Sequence, residues 1–260
     1  MNQLSEIIEA SPSRSLLGLD VVCFGYAEAL AYADTMASMP FGQTVIAFMN
    51  ANNANIMFED AQYRDVLSRQ VIFPDGVGLD IASTFVYGEA FPANLNGTDF
   101  VPALLTYMEQ PRRIGLIGAR RDIVERAAAN FKSHAPWHEF LVVSDGYFDI
   151  ANSKAIADRA ASLDLDVLLV ALGSPRQEKW IDRHIRPECA PLVISVGALF
   201  DFTAEAFPRA PGIVRKLRLE WAFRMLNEPR RLWKRYIIGN PIFLARALKQ
   251  AFKVRVLGDA

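Results

Sequence analysis

Several short stretches of this sequence place carboxylates, amides and glycines directly after apolar runs. Asp75 follows VIFP and precedes Gly76-Val77-Gly78. Asn50 closes VIAFMN and is followed by Asn52 and Asn53. Gly118 ends IGLIG, Asp145-Gly146-Tyr147 follow FLVVS, and Asp201 lies between two phenylalanines after LVISVGAL. The run VLLVALG leads into Ser174-Pro175-Arg176-Gln177-Glu178. A carboxylate held beside a hydroxyl can take its proton, so Asp75 is a candidate base. An aspartate ahead of a helix is as readily a cap, and the sequence leaves both readings open. Gly173 permits close backbone approach, and Pro175 suits a first helical turn, where its missing N–H costs nothing. The free N–H groups at such a helix start attract an anion, and Gln177 lies within reach of one. The competing reading is an ordinary strand-to-helix connection with a surface Gln-Glu-Lys.

The elements that must position these residues follow from hydrophobic periodicity. Residues 20–24, 45–50, 71–75, 114–118, 140–146, 167–173 and 192–200 read as strands. Helical patterns occupy 51–69, 78–87, 98–109, 120–134, 152–162 and 175–186. The strands are apolar on both sides, as buried parallel strands are. Strand–helix alternation over this length predicts an α/β fold with a mostly parallel sheet. Ligands of such sheets bind beyond the carboxyl ends of the strands, so the polar strand ends should share one rim. After Pro211 no strand pattern follows, and the chain turns helical and basic. The reading is therefore an α/β core over residues 1–208 and a helical, basic C-terminal appendage over 209–260. Between Ile242 and Lys253, a helical wheel puts Leu244, Leu248, Ala251 and Phe252 on one side and Arg246, Lys249 and Lys253 on the other.

Composition narrows the function classes. The chain has 260 residues, 52% hydrophobic and 22% charged, which suits an ordinary globular core. Cys23 and Cys189 make no disulfide framework. His134, His138 and His184 share no metal-ligand spacing, so neither a metal nor a cofactor is expected. IGLIGARRD is not a GxGxxG fingerprint and no GxxxxGK[ST] occurs, which argues against a dinucleotide oxidoreductase and a P-loop ATPase. The start, MNQLSEIIEASPSRS, lacks a signal peptide's basic and apolar regions. No apolar run approaches the roughly 18 residues of a spanning helix. The expectation is a cytoplasmic protein, soluble or lying on a surface. The net charge of −1 conceals an asymmetry: residues 207–260 carry 13 Lys+Arg against 3 Asp+Glu, and the remainder carries 15 against 26. Such a basic end is suited to an anionic membrane surface, a phosphate or a nucleic acid. Trp221, Trp233 and Tyr236 could stack on bases. Confinement of the charge to one end, beside an acid-rich rim, argues against nucleic acid.

PDGVGL, NGTDF, SDGYF, DVLLVALGSPRQEKWI, VGALFDFTAEAFPRAP and LEWAFRMLNEPRRLWKRY occur in that order. As a set they resemble the WecG/TagA/CpsF glycosyltransferases (glycosyltransferase family 26), over residues from about 20 to 245. The resemblance implies a Rossmann-like core, helices on both faces of the sheet, and a basic helical appendage. It implies an inverting, metal-free transfer of a sugar from a UDP-sugar to a polyprenyl-diphosphate-linked glycan. That transfer would occur on the inner face of the cytoplasmic membrane, in exopolysaccharide or other cell-surface polysaccharide synthesis. The sugar would be a hexose or an N-acetylmannosamine-type residue, and a homo-oligomer is compatible. It implies Asp75 as base, with Asn50 beside it. Gly76, Thr98, Asp99, Gly118, Gly173, Gln177, Glu178 and Asp201 would line the substrates. Arg209, Arg224, Arg230, Arg231 and Arg235 match the arginines of the appendage, and the first four are expected at the substrate. Two positions depart from the family's usual pattern. Phe48 stands where threonine is common, and Glu205 where glycine is common.

Overall fold

The computed structural model describes residues 12–206, 211, 214 and 220–257. The chain opens with β1 (Ser13–Leu16), β2 (Leu19–Val22) and α1 (Tyr26–Ala37). β3 (Thr44–Met49), α2 (Ala51–Glu59), α3 (Ala61–Leu67), β4 (Val71–Pro74), α4 (Val77–Tyr87) and α5 (Gly97–Tyr107) follow. The second half contains β5 (Arg113–Gly118), α6 (Arg121–His134), β6 (Glu139–Ser144), α7 (Lys154–Ala161), β7 (Val167–Ala171), α8 (Arg176–His184), β8 (Leu192–Ser195) and α9 (Leu199–Thr203). Further on come α10 (Glu220–Asn227), α11 (Pro229–Trp233), a π-helical turn (Lys234–Gly239) and α12 (Asn240–Leu257).

The strands form one eight-stranded sheet in the order β1-β2-β4-β3-β8-β7-β5-β6. Only the β1–β2 pair is antiparallel. This is the α/β, mostly parallel architecture that the alternating pattern predicts. Side chains along the central strands go alternately to the two faces, which hold three hydrophobic clusters among the described residues. Ile46, Phe48, Val167, Leu169, Leu192 and Ile194 pack on one face, beneath α1, α5, α6 and α9. On the other face, Ala47 and Met49 lie under α2, α3 and α4, and Leu168, Val170 and Val193 under α7 and α8. Because both faces are covered, both sets must be apolar, and that produces the unbroken apolar runs in the sequence.

The structure refines several boundaries. β1 and α1 have no counterpart among the expected elements. The helix expected over 51–69 breaks at Asp60, whose extended backbone ends α2 and whose carboxylate accepts the Tyr63 N–H at 3.0 Å to start α3. The strand expected over 192–200 stops at Ser195, and Leu199 begins α9. The division drawn at residue 208 falls outside the described residues. α12 packs directly on the core: Phe243, Ala247 and Ala251 are buried among Met49, Met57, Leu79 and Ala82. The helical wheel is right for half of its apolar side, since Ala251 is buried and Leu244 packs against the core, and wrong for the rest. Leu248, Phe252 and Val256 are exposed, on the same side as Lys249 and Lys253. Apolar residues occupy both faces of α12, so periodicity could not tell which one the core would take.

At Gly118 the end of β5 runs tightly against neighbouring β7. Its φ is 130°, and an added Cβ would lie 2.2 Å from the Ala171 carbonyl oxygen on neighbouring β7. That oxygen also accepts the Ala119 N–H at 3.1 Å, so it cannot retreat without losing a hydrogen bond. Gly118→Ala should destabilise the fold by about 2 kcal/mol or more, the usual range for overpacking a rigid interior. Urea denaturation midpoints of the two proteins check this.

Candidate active site

β3 and β4 are parallel neighbours, with Met49 opposite Pro74. The next residues, Asn50 and Asp75, therefore emerge side by side at the carboxyl ends of the strands, and the Asp75 N–H bonds the Met49 carbonyl at 2.8 Å. Asn50 is the N-cap of α2, and its Oδ1 accepts the N–H groups of Asn52 and Asn53, each at 3.1 Å. With the oxygen so engaged, the amide nitrogen must face the other way. It donates to Asp75 Oδ2 at 3.1 Å. The residue at the N-cap of α4 is Gly76. Of the two readings of Asp75, the geometry thus favours a carboxylate held at the rim over a helix cap.

The NGTDF segment runs alongside. Asn94 Oδ1 accepts the Gly76 N–H at 2.8 Å, and the Leu95 N–H donates to the Pro74 carbonyl at 2.9 Å. Asn96 caps α5 by accepting the Asp99 N–H at 3.0 Å. Thr98 and Asp99 are thereby carried to the same strand end as Asp75. Phe48 explains the glycine here: a Cβ on Gly97 would meet its ring at 2.9 Å. The Phe48 ring belongs to an aromatic cluster with Phe73 and Phe100, centroids 6.1 and 6.3 Å away. Glu205, the other departure, takes the left-handed backbone (φ 55°) that glycine adopts without strain.

The GSPRQE turn forms the adjoining wall. Gln177 is 2% exposed, and its Oε1 accepts the N–H groups of Gly173 (3.0 Å) and Gly197 (3.2 Å). It ties the loops after β7 and β8 together instead of projecting outward. Glu178 is 1% exposed and accepts Ser174 Oγ at 2.6 Å and Gln177 Nε2 at 2.9 Å, both on Oε1. Its Oε2 meets no donor among the described residues. Ser174 Oγ is also 3.5 Å from Asn53 Nδ2, which links this turn to the start of α2. The dense polar cluster after β7 thus holds the rim together from beneath.

Further along the rim, Arg176 donates to the Gly146 carbonyl at 3.3 Å, and Tyr147 beside it is 78% exposed. Asp201 occupies the first turn of α9 and is half-buried. Arg230 is exposed on α11. Arg209 lies outside the described residues, as do the side chains of Arg224 and Arg231. Asn53 and Ser174 were not singled out as site residues in the sequence. The run of amides after β3 and the serine inside GSPRQE were the available signals.

This is an α/β enzyme whose strand ends gather a held carboxylate, amides and glycine turns at one rim. The pattern that defines the Glycosyl transferase WecG/TagA/CpsF family matches residues 14–256, and the chain belongs to that family of glycosyltransferases. It is similar to the N-acetylglucosaminyldiphosphoundecaprenol N-acetyl-beta-D-mannosaminyltransferase of Bacillus subtilis (strain 168). The two are 32% identical over 210 residues, which is 79% of each chain. The protein of the same description from Bacillus spizizenii (strain ATCC 23059 / NRRL B-14472 / W23) is 31% identical over 210 residues, 78% of this chain and 79% of its own.

Burial pushes the Glu178 carboxyl above its ordinary value of 4.5, against the opposing pull of its hydrogen bonds from Ser174 and Gln177. A folded-state value raised above the unfolded one contributes stability that is present below pH 4.5 and lost as pH rises through the folded value. Glu178→Gln keeps the shape without the charge. The stability of this variant relative to the natural protein should therefore rise as pH increases from 4.5 upward, read from paired thermal melts. A difference that stays flat with pH would mean that Glu178 carries no such penalty.

Proposed function

We propose that this glycosyltransferase moves a sugar from a UDP-sugar to a hydroxyl of a polyprenyl-diphosphate-linked glycan, in the synthesis of an exopolysaccharide or related surface polysaccharide. The observation that carries the reading is the Asn50–Asp75 pair at adjacent strand ends. The acceptor and the N-acetylmannosamine-type sugar are supported by the names of the two Bacillus relatives. In the proposed step, the acceptor oxygen attacks the anomeric carbon and its proton passes to Asp75. The bond from that carbon to the diphosphate breaks on the opposite side, so the anomeric centre inverts and UDP departs. Asn50 orients the Asp75 carboxylate toward the acceptor.

Asp99, Thr98 and Gly76 line the Asp75 side of the cleft. Gly118, Gly173 and Asp201 form the donor side, where Tyr147 offers a ring for a base to stack on. Gln177 and Glu178 act beneath that surface by holding its loops. The departing diphosphate needs positive charge, for which Arg209, Arg224, Arg230 and Arg231 are the candidates. Asp75→Asn should lower turnover by a factor on the order of 100 to 10,000 with donor binding unchanged. UDP release with a UDP-N-acetylhexosamine and an N-acetylglucosaminyl-diphosphoryl lipid measures the first, and calorimetry the second. Near-normal turnover would remove Asp75 from the role of base.

No helix among the described residues is long and apolar enough to cross a membrane. The reading places the enzyme on the inner face of the cytoplasmic membrane, lying on anionic lipid through the exposed side of α12. That side mixes Leu248, Phe252 and Val256 with Lys249 and Lys253. Replacing both lysines with glutamine should weaken binding to anionic vesicles about 30-fold, at about 1 kcal/mol per basic residue. Sedimentation with phosphatidylglycerol-containing vesicles checks it, and unchanged binding would exclude this face.

A further inference from the structure

α12 does more than cover a core. Its Phe243 is fully buried, and the ring points at the first turns of two other helices. A Cβ built on Gly78, the second residue of α4, would stand 3.6 Å from Phe243 Cε1 and 3.5 Å from Ala51 Cβ, at the first residue of α2. Ala51 follows Asn50 directly, and Gly78 lies three residues after Asp75. The Phe243 ring therefore sits where the two helices that carry the catalytic pair come together. A Cβ on Gly78 would make ordinary van der Waals contact with both, so the three surfaces are packed together here.

A second set of contacts fixes α12 against α2. Asn55 donates from Nδ2 to the Gly239 carbonyl at 2.7 Å and accepts Arg246 Nη1 on Oδ1 at 2.7 Å. Both ends of one amide are thus held from one side, a turn before and a turn after Phe243. The Arg246 guanidinium also lies 4.2 Å over the Phe58 ring, near the end of α2. The helical wheel grouped Arg246 with the outward lysines, but the structure binds it to α2.

We propose that Phe243 is a positioning residue for the transfer reaction. It sets the relative placement of α2 and α4 and so the approach of Asn50 to Asp75. The Asn50 amide is fixed by the N-terminus of α2, and Asp75 by the strand that leads into α4. The 3.1 Å bond between them therefore depends on how those two helix starts are wedged. Phe243 touches no reacting atom and acts only through that pair. The proposal rests on the reading of Asp75 as base.

The test uses the full chain and a water-soluble acceptor analogue, so that membrane binding plays no part. Phe243→Leu leaves a smaller apolar side chain in place, and Phe243→Ala leaves a gap. Thermal melts establish that each variant is folded at the assay temperature; if Phe243→Ala is not, Phe243→Leu alone is read. Phe243→Leu should lower kcat about 10-fold, because small misplacements of reacting groups are costly. The KM for the UDP-sugar should stay within about 2-fold. The same substitution in an Asn50→Ala background should cost less than about 2-fold more, since coupled positions do not add. Phe243→Tyr, which keeps the ring, should retain part of the rate that Phe243→Leu loses. Full additivity with Asn50→Ala, or a change confined to KM, would overturn the proposal and leave Phe243 a core residue. Asp75→Asn is run alongside. A dead Asp75→Asn enzyme with additive Phe243 effects sinks this inference alone, whereas an active one sinks the reading beneath it.

Discussion

The constraint on which the rest depends is that this sheet is covered on both faces. On a parallel strand between two helical layers, a polar side chain without an internal partner is costly. Chemistry is therefore displaced to the strand ends, where the chain turns and water or substrate can enter. Asn50, Asp75, Gly118, Gly173 and Gly197 all fall within two residues of a strand's last residue. Their convergence follows from strand order and register, because neighbouring strands that end level must place their next residues together. Asn50 beside Asp75 is the clearest case, brought side by side by the Met49–Pro74 pairing.

Displacement to the rim creates its own problem. Loops there carry many N–H and carbonyl groups at the edge of an apolar interior, and each needs a partner. The protein meets that need with buried and half-buried amides. Gln177 joins two loops, Asn53 reaches back to the Phe48 carbonyl at 2.9 Å, and Asn94 and Asn96 serve the segment before α5. Glu178 is the least comfortable member of the set, a carboxyl in the interior with one oxygen unserved. It is held where its charge is disfavoured, and its neighbours bond only the other oxygen.

The sheet, its parallel sense and the rim were legible because buried strands announce themselves as apolar runs and turns as glycine, proline and asparagine. The Asn50–Asp75 pairing was not, since it depends on which strands become neighbours. Gln177 shows a different gap. Its place in a motif pointed to the site, but the sequence could not say whether the side chain faced outward or held loops from below. For α12 the obstacle was physical. Phe243 and Ala247 alternate with Leu248 and Phe252, so two apolar stripes compete, and only the surface offered by α4 decides between them. β1 escaped notice because SRSL has one buried residue in four.

The turn of the first hairpin has a consequence for how the molecule is made. Leu17 and Gly18 both take left-handed backbone, φ 57° and 84°, between the paired Leu16 and Leu19. The Leu17 N–H donates to Gln250 Oε1, and the Gln250 amide also donates to the Ser15 carbonyl, each at 2.8 Å. The β1–β2 hairpin is thus secured by a helix residue that lies 233 positions further along the chain. Until residue 250 emerges, the hairpin lacks its clasp and the surface of α4 lacks its cover. The nascent chain can lay down its parallel sheet in order, but the hairpin and α4 are closed over only once α12 has been made.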